Sequence, residues 1–412
     1  MKIWILQTGE PLHIDKNNPR PMRAMNLSNK LVEAGHSVVL WSSDFSHQGK
    51  FHRFNKYTTH NINKNLQIRL IPSPGYKSHI GIARLWDHII LGWRLHKLLK
   101  QEKNENKPDI CFIGYPPIEC AYVMGMFAKK ADIPYMLDVK DLWPSMLVDA
   151  LPKFLQPLGR VIFYPLFYMA KKVILNATGI SSMAPSFSKW VLNFANKKPT
   201  KYDRVFRLTS SPQKLNQEQL EKADLWWSDK NVTNKKPLIM FVGSFMSVFD
   251  FKPIARVAKE LKHECNFVLA GDGDYLQGIK KMMAGLDNVV FPDRIDYAKI
   301  INLSKISIAT IAPYKTIESF NMSVPNKIVD SLSFGLPILT PLKGEMANLI
   351  KKYNVGFNYN DSKSLKQHIL TLINNPQIQK NQATNSKNLY NKDFEFNQVY
   401  DSFVSHLEKI AK

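Results

Sequence analysis

The stretch SVPNKIVDSLSFGLPILT, residues 323–340, reads as a turn, a helix and a strand. Ser323 is a candidate cap, Pro325 suits a first helical turn, and the run that follows is amphipathic. A helix start presents unpaired backbone N–H groups and a partial positive charge, an arrangement that suits a phosphate. Lys327 adds a full charge there. Asp330, the only carboxylate of the stretch, stands one turn on, within reach of sugar hydroxyls. The same residues also fit an ordinary helix start satisfied by water, with Asp330 on a solvated face.

Outward from this stretch, apolar runs of strand length alternate with longer helical patterns along nearly the whole chain. KIWILQTG, HSVVLWSS, LQIRLIPS, DICFIGYP, PYMLDVKD and ATGISSM are strands in the first half, separated by helices such as RPMRAMNLSNKLVEAG. The alternation restarts at PLIMFVGS and runs through CNFVLAGDGD, NVVFPDR and ISIATIAPY to LPILT. Strand–helix–strand repetition is the signature of parallel sheets. Residues 197–236 are polar and basic with no sustained strand pattern, which marks a junction. The fold class expected is therefore α/β, two doubly wound Rossmann-like halves in tandem, with sites at the carboxyl ends of both sheets. The tail FEFNQVYDSFVSHLEKIAK places Phe394, Phe396, Val399, Tyr400, Phe403 and Leu407 at helical spacing.

Composition narrows the function. A chain of 412 residues exceeds one ordinary core, and 44% hydrophobic with 22% charged residues is a folded composition. The net charge of +22 implies an anionic partner. Residues 51–100 alone hold nine Lys or Arg and five His against one acid, Asp87. Cys111, Cys120 and Cys265 have neither metal-ligand nor disulfide-framework spacing, so inert thiols and a cytoplasmic setting are expected. No apolar run reaches the ~18 residues of a spanning helix. The segment PKFLQPLGRVIFYPLFYMAKK, residues 152–172, reads either as a buried helix or as one lying in a lipid interface. Basic residues interleaved with aromatics also suit nucleic acid, but no recognised nucleic-acid motif is present, and no such partner is expected.

Several short runs carry candidate chemistry. In FVGSFMS, a strand ending at Gly243 and Ser244 lets a backbone approach a ligand. AGDGD makes either that kind of approach or a simple tight turn; Leu276 stands where a dinucleotide fingerprint needs its third glycine, and no Walker or His-Glu-x-x-His motif occurs. DVKDLWP crowds Lys140 and Asp141 at the end of an apolar strand, facing the expected cleft or paired on the surface. The loop TGEPLHIDKNNPRPMR, with Gly9, Glu10, Arg20 and Arg23, suits an acidic acceptor or forms a disordered flap.

Taken in order, the first-loop Gly9-Glu10, GHSVVLWSS, DVKDLWP, FVGSF, AGDGD, NVVFPDRIDYAKI and PNKIVDSLSFGLPIL resemble glycosyltransferase family four of the GT-B fold, in its bacterial surface-polysaccharide branch. The resemblance implies residues 1–200 as an acceptor-binding domain, 201–388 as linker and sugar-nucleotide domain, and 389–412 as a helix crossing back to the first. It implies a nucleotide-sugar co-substrate (a UDP-sugar foremost), no other cofactor and no metal. The acceptor would be a lipid-linked sugar, polyprenyl diphosphate in type, at an anionic membrane's inner face. Asp330 matches the ribose-binding carboxylate, where the family usually has Glu; Ser323, Pro325, Asn326 and Lys327 match the segment around the diphosphate. Gly243 and Ser244 match the phosphate-side loop, and Arg294 and Ile295 the nucleobase segment. Lys140 stands where relatives place His or Arg near the donor sugar, beside Asp141; Lys140, Asp141 and Lys327 are the expected catalytic groups. Gly9, Glu10, Arg20 and Arg23 are the expected acceptor contacts. Two departures stand out: Met322 occupies the position eight before Asp330 where the family has a second glutamate, and the nearest lysine after FVGSF is Lys252. A GT-B sugar-nucleotide epimerase and a non-catalytic membrane scaffold are the rival readings.

Overall fold

The computed structural model describes residues 1–16, 19–78 and 81–411. Asn17 and Asn18 of the expected acceptor loop, His79 and Ile80 of the basic stretch, and the terminal Lys412 lie outside the described residues. The chain forms two compact units, Met1–Arg207 with Asn397–Lys412, and Leu208–Phe396.

The first unit has the strands β1 (Lys2–Leu6), β2 (Ser37–Ser43), β3 (Phe45–Ser46), β4 (Phe51–His52), β5 (Thr58–Asn63), β6 (Leu66–Ile71), β7 (Ile110–Tyr115), β8 (Tyr135–Val139), β9 (Gly179–Ser182) and β10 (Arg204–Val205). Eight of them make one sheet in the order β10-β9-β8-β7-β1-β2-β6-β5, parallel except where β5 runs against β6, while β3 and β4 pair as a small hairpin. β7 and β8 are buried at every position, as expected of parallel strands covered on both faces. β5 carries the polar run TTHNIN on the sheet edge, so it lacks the apolar signal that marks its neighbours.

The second unit has β11 (Leu238–Val242), β12 (Asn266–Ala270), β13 (Val289–Val290), β14 (Ala309–Ile311), β15 (Ile338–Thr340) and β16 (Gly356–Asn358), all parallel, in the order β13-β12-β11-β14-β15-β16. Its core gathers Phe241, Phe245, Phe249 and Phe251 with the apolar faces of the surrounding helices. Within the polar stretch 197–236 a helix forms, Gln217–Asp229, started by a capping box between Asn216 and Gln219. In both sheets the strand order reverses beside the first strand, at β1/β7 and at β11/β14, and such reversals open a crevice at the strands' carboxyl ends.

The last helix, Phe396–Ala411, completes the first unit. Phe403 stacks on Phe206 with ring centroids 3.8 Å apart and meets Phe112 edge-on at 5.2 Å. Phe394, expected on the same stripe, precedes the helix and is buried in the second unit's core. The segment 152–172 is not one buried helix: it forms Gln156–Ile162 and Tyr164–Asn176, the second burying Leu166 and Ala170 in the core, with Phe154, Leu158, Val161, Ile162 and Tyr164 exposed.

Candidate donor site and the residues around it

In the second unit, the loops that leave β11, β12 and β13 are laced together. Gly243 N–H donates to Ala270 O at 2.9 Å, Phe245 N–H to Asp272 O at 2.7 Å, and Gly271 N–H to Asp293 O at 2.7 Å. Gly243 and Gly271 take φ of +152° and +141°, outside the range side chains favour. A Cβ on Gly271 would lie 1.9 Å from the Gly243 carbonyl oxygen, so the two backbones touch because neither residue has a side chain. The AGDGD run is therefore a close backbone approach as well as a turn.

Lys327 comes to the same place from the opposite side of the β11/β14 crevice. Its Nζ donates to Val242 O at 3.2 Å and lies 5.4 Å from the Phe241 ring centroid and 5.5 Å from that of Phe249. A Cβ on Gly243 would lie 1.4 Å from Lys327 Nζ. The glycine thus makes the space that the ammonium occupies.

The helix behind Lys327 runs Asn326–Phe334 and stops at Gly335, left-handed at φ 70°. Ser323 is not its cap. Pro325 holds that position, and Ser323 Oγ donates instead to Ser319 O at 3.2 Å. Among the described residues no side chain caps the helix start, and its first turn holds no acid. Asp330, half-buried, lies within electrostatic reach of Tyr314 and Tyr390; burial first, and then its charge, holds the Tyr314 hydroxyl above the usual range. Neither tyrosine was flagged by sequence pattern. Arg294 is exposed and Ile295 half-buried, next to Asp293, whose carbonyl the Gly271 N–H holds.

In the first unit, Lys140 Nζ donates to Glu10 Oε1 at 2.6 Å and to Gln7 Oε1 at 2.7 Å. The other Glu10 oxygen accepts from Ala24 N–H at 2.8 Å, at the start of helix Arg23–Glu33. Glu10, expected as an acceptor contact, is buried and tied within the unit. Arg23 also departs from expectation. It is buried, its Nε and Nη2 each 2.9 Å from the Asp138 carboxylate, with Nη1 donating to Phe206 O at 2.9 Å. Its partner stands 115 residues away in sequence, which no local pattern reveals. Gly9 (φ +84°) lies half-buried in the loop after β1, and Arg20 is exposed. Asp141 accepts from Leu142 N–H at 3.1 Å, and burial holds its carboxyl above the usual range.

A buried pair missed by sequence reasoning lies beyond β7. Glu119 and His88 are both buried, with His88 Nδ1 3.9 Å from Glu119 Oε2. Burial pushes the Glu119 carboxyl up to about 7 and the His88 imidazole down to about 3. Nothing in the spacing YPPIE announces such a group. Among the described residues no three His, Cys, Asp or Glu side chains are grouped to hold a metal ion.

This architecture is that of the GT-B glycosyltransferases. The sucrose-phosphate synthase of Thermosynechococcus elongatus superposes with a TM-score of 0.72 at 11% identity, over 99% of this chain and 98% of that one. Anabaena HepE, solved with UDP and glucose, gives 0.66 at 12% over 99% and 100%; WaaG, a glycosyltransferase involved in lipopolysaccharide biosynthesis, gives 0.63 at 11% over 99% of each. Residues 226–389, which make up the second unit apart from its two ends, match the family model described as glycosyl transferases group 1. An uncharacterized glycosyltransferase of Methanocaldococcus jannaschii is 23% identical over 204 residues, 47% of this chain and 51% of that relative. The chain thus matches about half the length of that curated relative.

Proposed function

We propose that this protein transfers a sugar from a nucleotide-sugar, a UDP-sugar first among them, to a lipid-linked glycan acceptor in bacterial surface-polysaccharide synthesis. The observation that carries the donor half is the Lys327 ammonium seated over Gly243 at the β11/β14 strand reversal, beside an uncapped helix start. That combination suits a diphosphate: a fixed cation, the positive end of a helix with no side-chain cap and a backbone that lets phosphate oxygens come close. Asp330 accepts the ribose hydroxyls, and Arg294 and Ile295 flank the base. The UDP held by HepE and the lipopolysaccharide role of WaaG support this choice of donor and acceptor.

In this mechanism the acceptor hydroxyl attacks from the face the diphosphate leaves, with retention. The C1–O bond to the phosphate breaks as the new glycosidic bond forms, and the leaving phosphate takes the acceptor's proton. Lys327 and the helix start stabilise the charge that grows on the diphosphate. Lys140, with its charge tied to Glu10, orients groups near the sugar rather than serving as a free cation.

The test is calorimetric titration with UDP, GDP and dTDP, with and without added divalent metal. One nucleotide is expected to bind, about tenfold or more weaker in Asp330→Ala, and Lys327→Met is expected to lose most of its transfer rate. Full transfer by Lys327→Met would overturn the donor assignment. Sugar release or inversion with donor alone would favour the epimerase reading.

A further inference from the structure

The first unit carries an apolar surface that its own packing does not use. Helix Ile82–Gln101 sets Ile82, Trp86, Ile89 and Trp93 at spacings of four, three and four, one continuous stripe, and all four are exposed, Ile82 at 85%. A second group follows Pro152: Phe154 is 80% exposed and Val161 71%, with Leu158, Ile162 and Tyr164 exposed beside them. Helix Ile118–Lys130 packs against both helix Ile82–Gln101 and helix Tyr164–Asn176, and helix Gln156–Ile162, which carries most of the second group, packs on Tyr164–Asn176 in turn. Core helices hide such stripes, and solvated helices replace them with charge.

The charge around this surface is mostly positive, with Asp149 an exposed acid on the neighbouring helix. Residues 150–202 contain eight Lys or Arg and no Asp or Glu. Lys153 and Arg160 stand among the exposed apolar residues, and Lys171 and Lys172 follow on the next helix. On the first stripe, Lys97 Nζ sits 3.6 Å from the Trp93 ring centroid, a cation–π pair that keeps a positive charge on the exposed indole. Tryptophan and tyrosine bordered by lysine and arginine suit the boundary between acyl chains and phosphate headgroups.

We propose that this surface, helix Ile82–Gln101 together with the exposed residues from Phe154 to Tyr164, is the face by which the protein lies on an anionic lipid bilayer. Its apolar side chains enter the headgroup boundary and its cations meet lipid phosphates. A second copy of the chain fits less well, because pairing the face with itself would set two predominantly basic surfaces against each other. The inference rests on the lipid-linked acceptor for its purpose, but its test does not depend on transfer.

The full-length protein is mixed with vesicles of phosphatidylcholine alone or with about a third phosphatidylglycerol, and sedimented at low and high salt. It is expected to sediment with the anionic vesicles at low salt, and its tryptophan fluorescence to be quenched by brominated lipid. Trp86→Phe with Trp93→Phe is expected to remove most of that quenching while binding persists. Phe154→Ser with Val161→Ser and Ile162→Ser, all exposed and remote from the core, is expected to weaken binding by about tenfold or more. UDP titration should be unchanged in that variant. Equal vesicle binding by the serine variant, quenching that survives loss of both tryptophans, or a dimer in sedimentation equilibrium that the serine variant abolishes would each overturn the proposal. Transfer to a water-soluble acceptor is measured in parallel: its absence with vesicle binding intact counts against the transferase reading and leaves the bilayer face standing.

Discussion

Gly243 has the most exposed consequence of any single position. Alanine there needs a strained φ and drives a methyl group onto Lys327 Nζ, so the lysine must leave its place over the strand end. Gly243→Ala is expected to lower transfer by about a hundredfold, the effect of displacing a reactive group by an ångström or so. Steady-state rates beside a UDP titration check it. Glu119 and His88 make a different, pH-dependent statement. The carboxyl holds its proton more tightly folded than unfolded, so the stability it contributes falls as pH climbs from 4.5 to about 7. The imidazole holds its proton less tightly when folded, so its contribution falls as pH drops from 6.5 towards 3. Between 4.5 and 6.5 the two slopes oppose, and the pair favours the folded state most there. Glu119→Gln is expected to relieve a penalty on the order of 3 kcal/mol at pH 8 and much less at pH 5. Thermal unfolding at the two pH values reads the difference. At this scale sequence misled where a side chain's partner is distant: Glu10 and Arg23 look like loop ligands until Lys140 and Asp138 are brought to them.

Among elements, the tie between helix Arg23–Glu33 and the sheet is the one most open to attack. Arg23 bridges the Asp138 carboxylate of β8 and Ser181 Oγ of β9, and its guanidinium also lies 4.9 Å from the Phe403 ring. Removing one partner strands the other charge in the interior, so Arg23→Leu is expected to destabilise the first unit by about 3–5 kcal/mol. Urea denaturation followed by circular dichroism measures it, and Arg23→Leu with Asp138→Leu should recover part of the loss. The elements themselves were largely legible, because buried parallel strands announce themselves as apolar runs and most of the runs read as strands are strands. The exceptions have physical reasons. β5 is a polar edge strand, the Gln217–Asp229 helix buries only Ala223 and Trp227, and the start of helix Asn326–Phe334 has no side-chain cap to betray it.

For the whole molecule, the charge of +22 makes ionic strength a variable in every assay. Each unit carries its own core, and the last helix contributes Tyr400, Phe403, Leu407 and Ile410 to the first. Phe403→Ala is expected to cost about 3–5 kcal/mol in that unit alone. Limited proteolysis should then cut the first unit sooner while UDP binding by the second persists. The position of that helix also sets an order of events during synthesis. All of Leu208–Phe396 leaves the ribosome before the residues that finish the unit made first. The amino-terminal half therefore waits, with the apolar surface around Phe112 and Phe206 uncovered, until that helix has been made. A ribosome stalled before that helix leaves the front of the chain as its unfinished part.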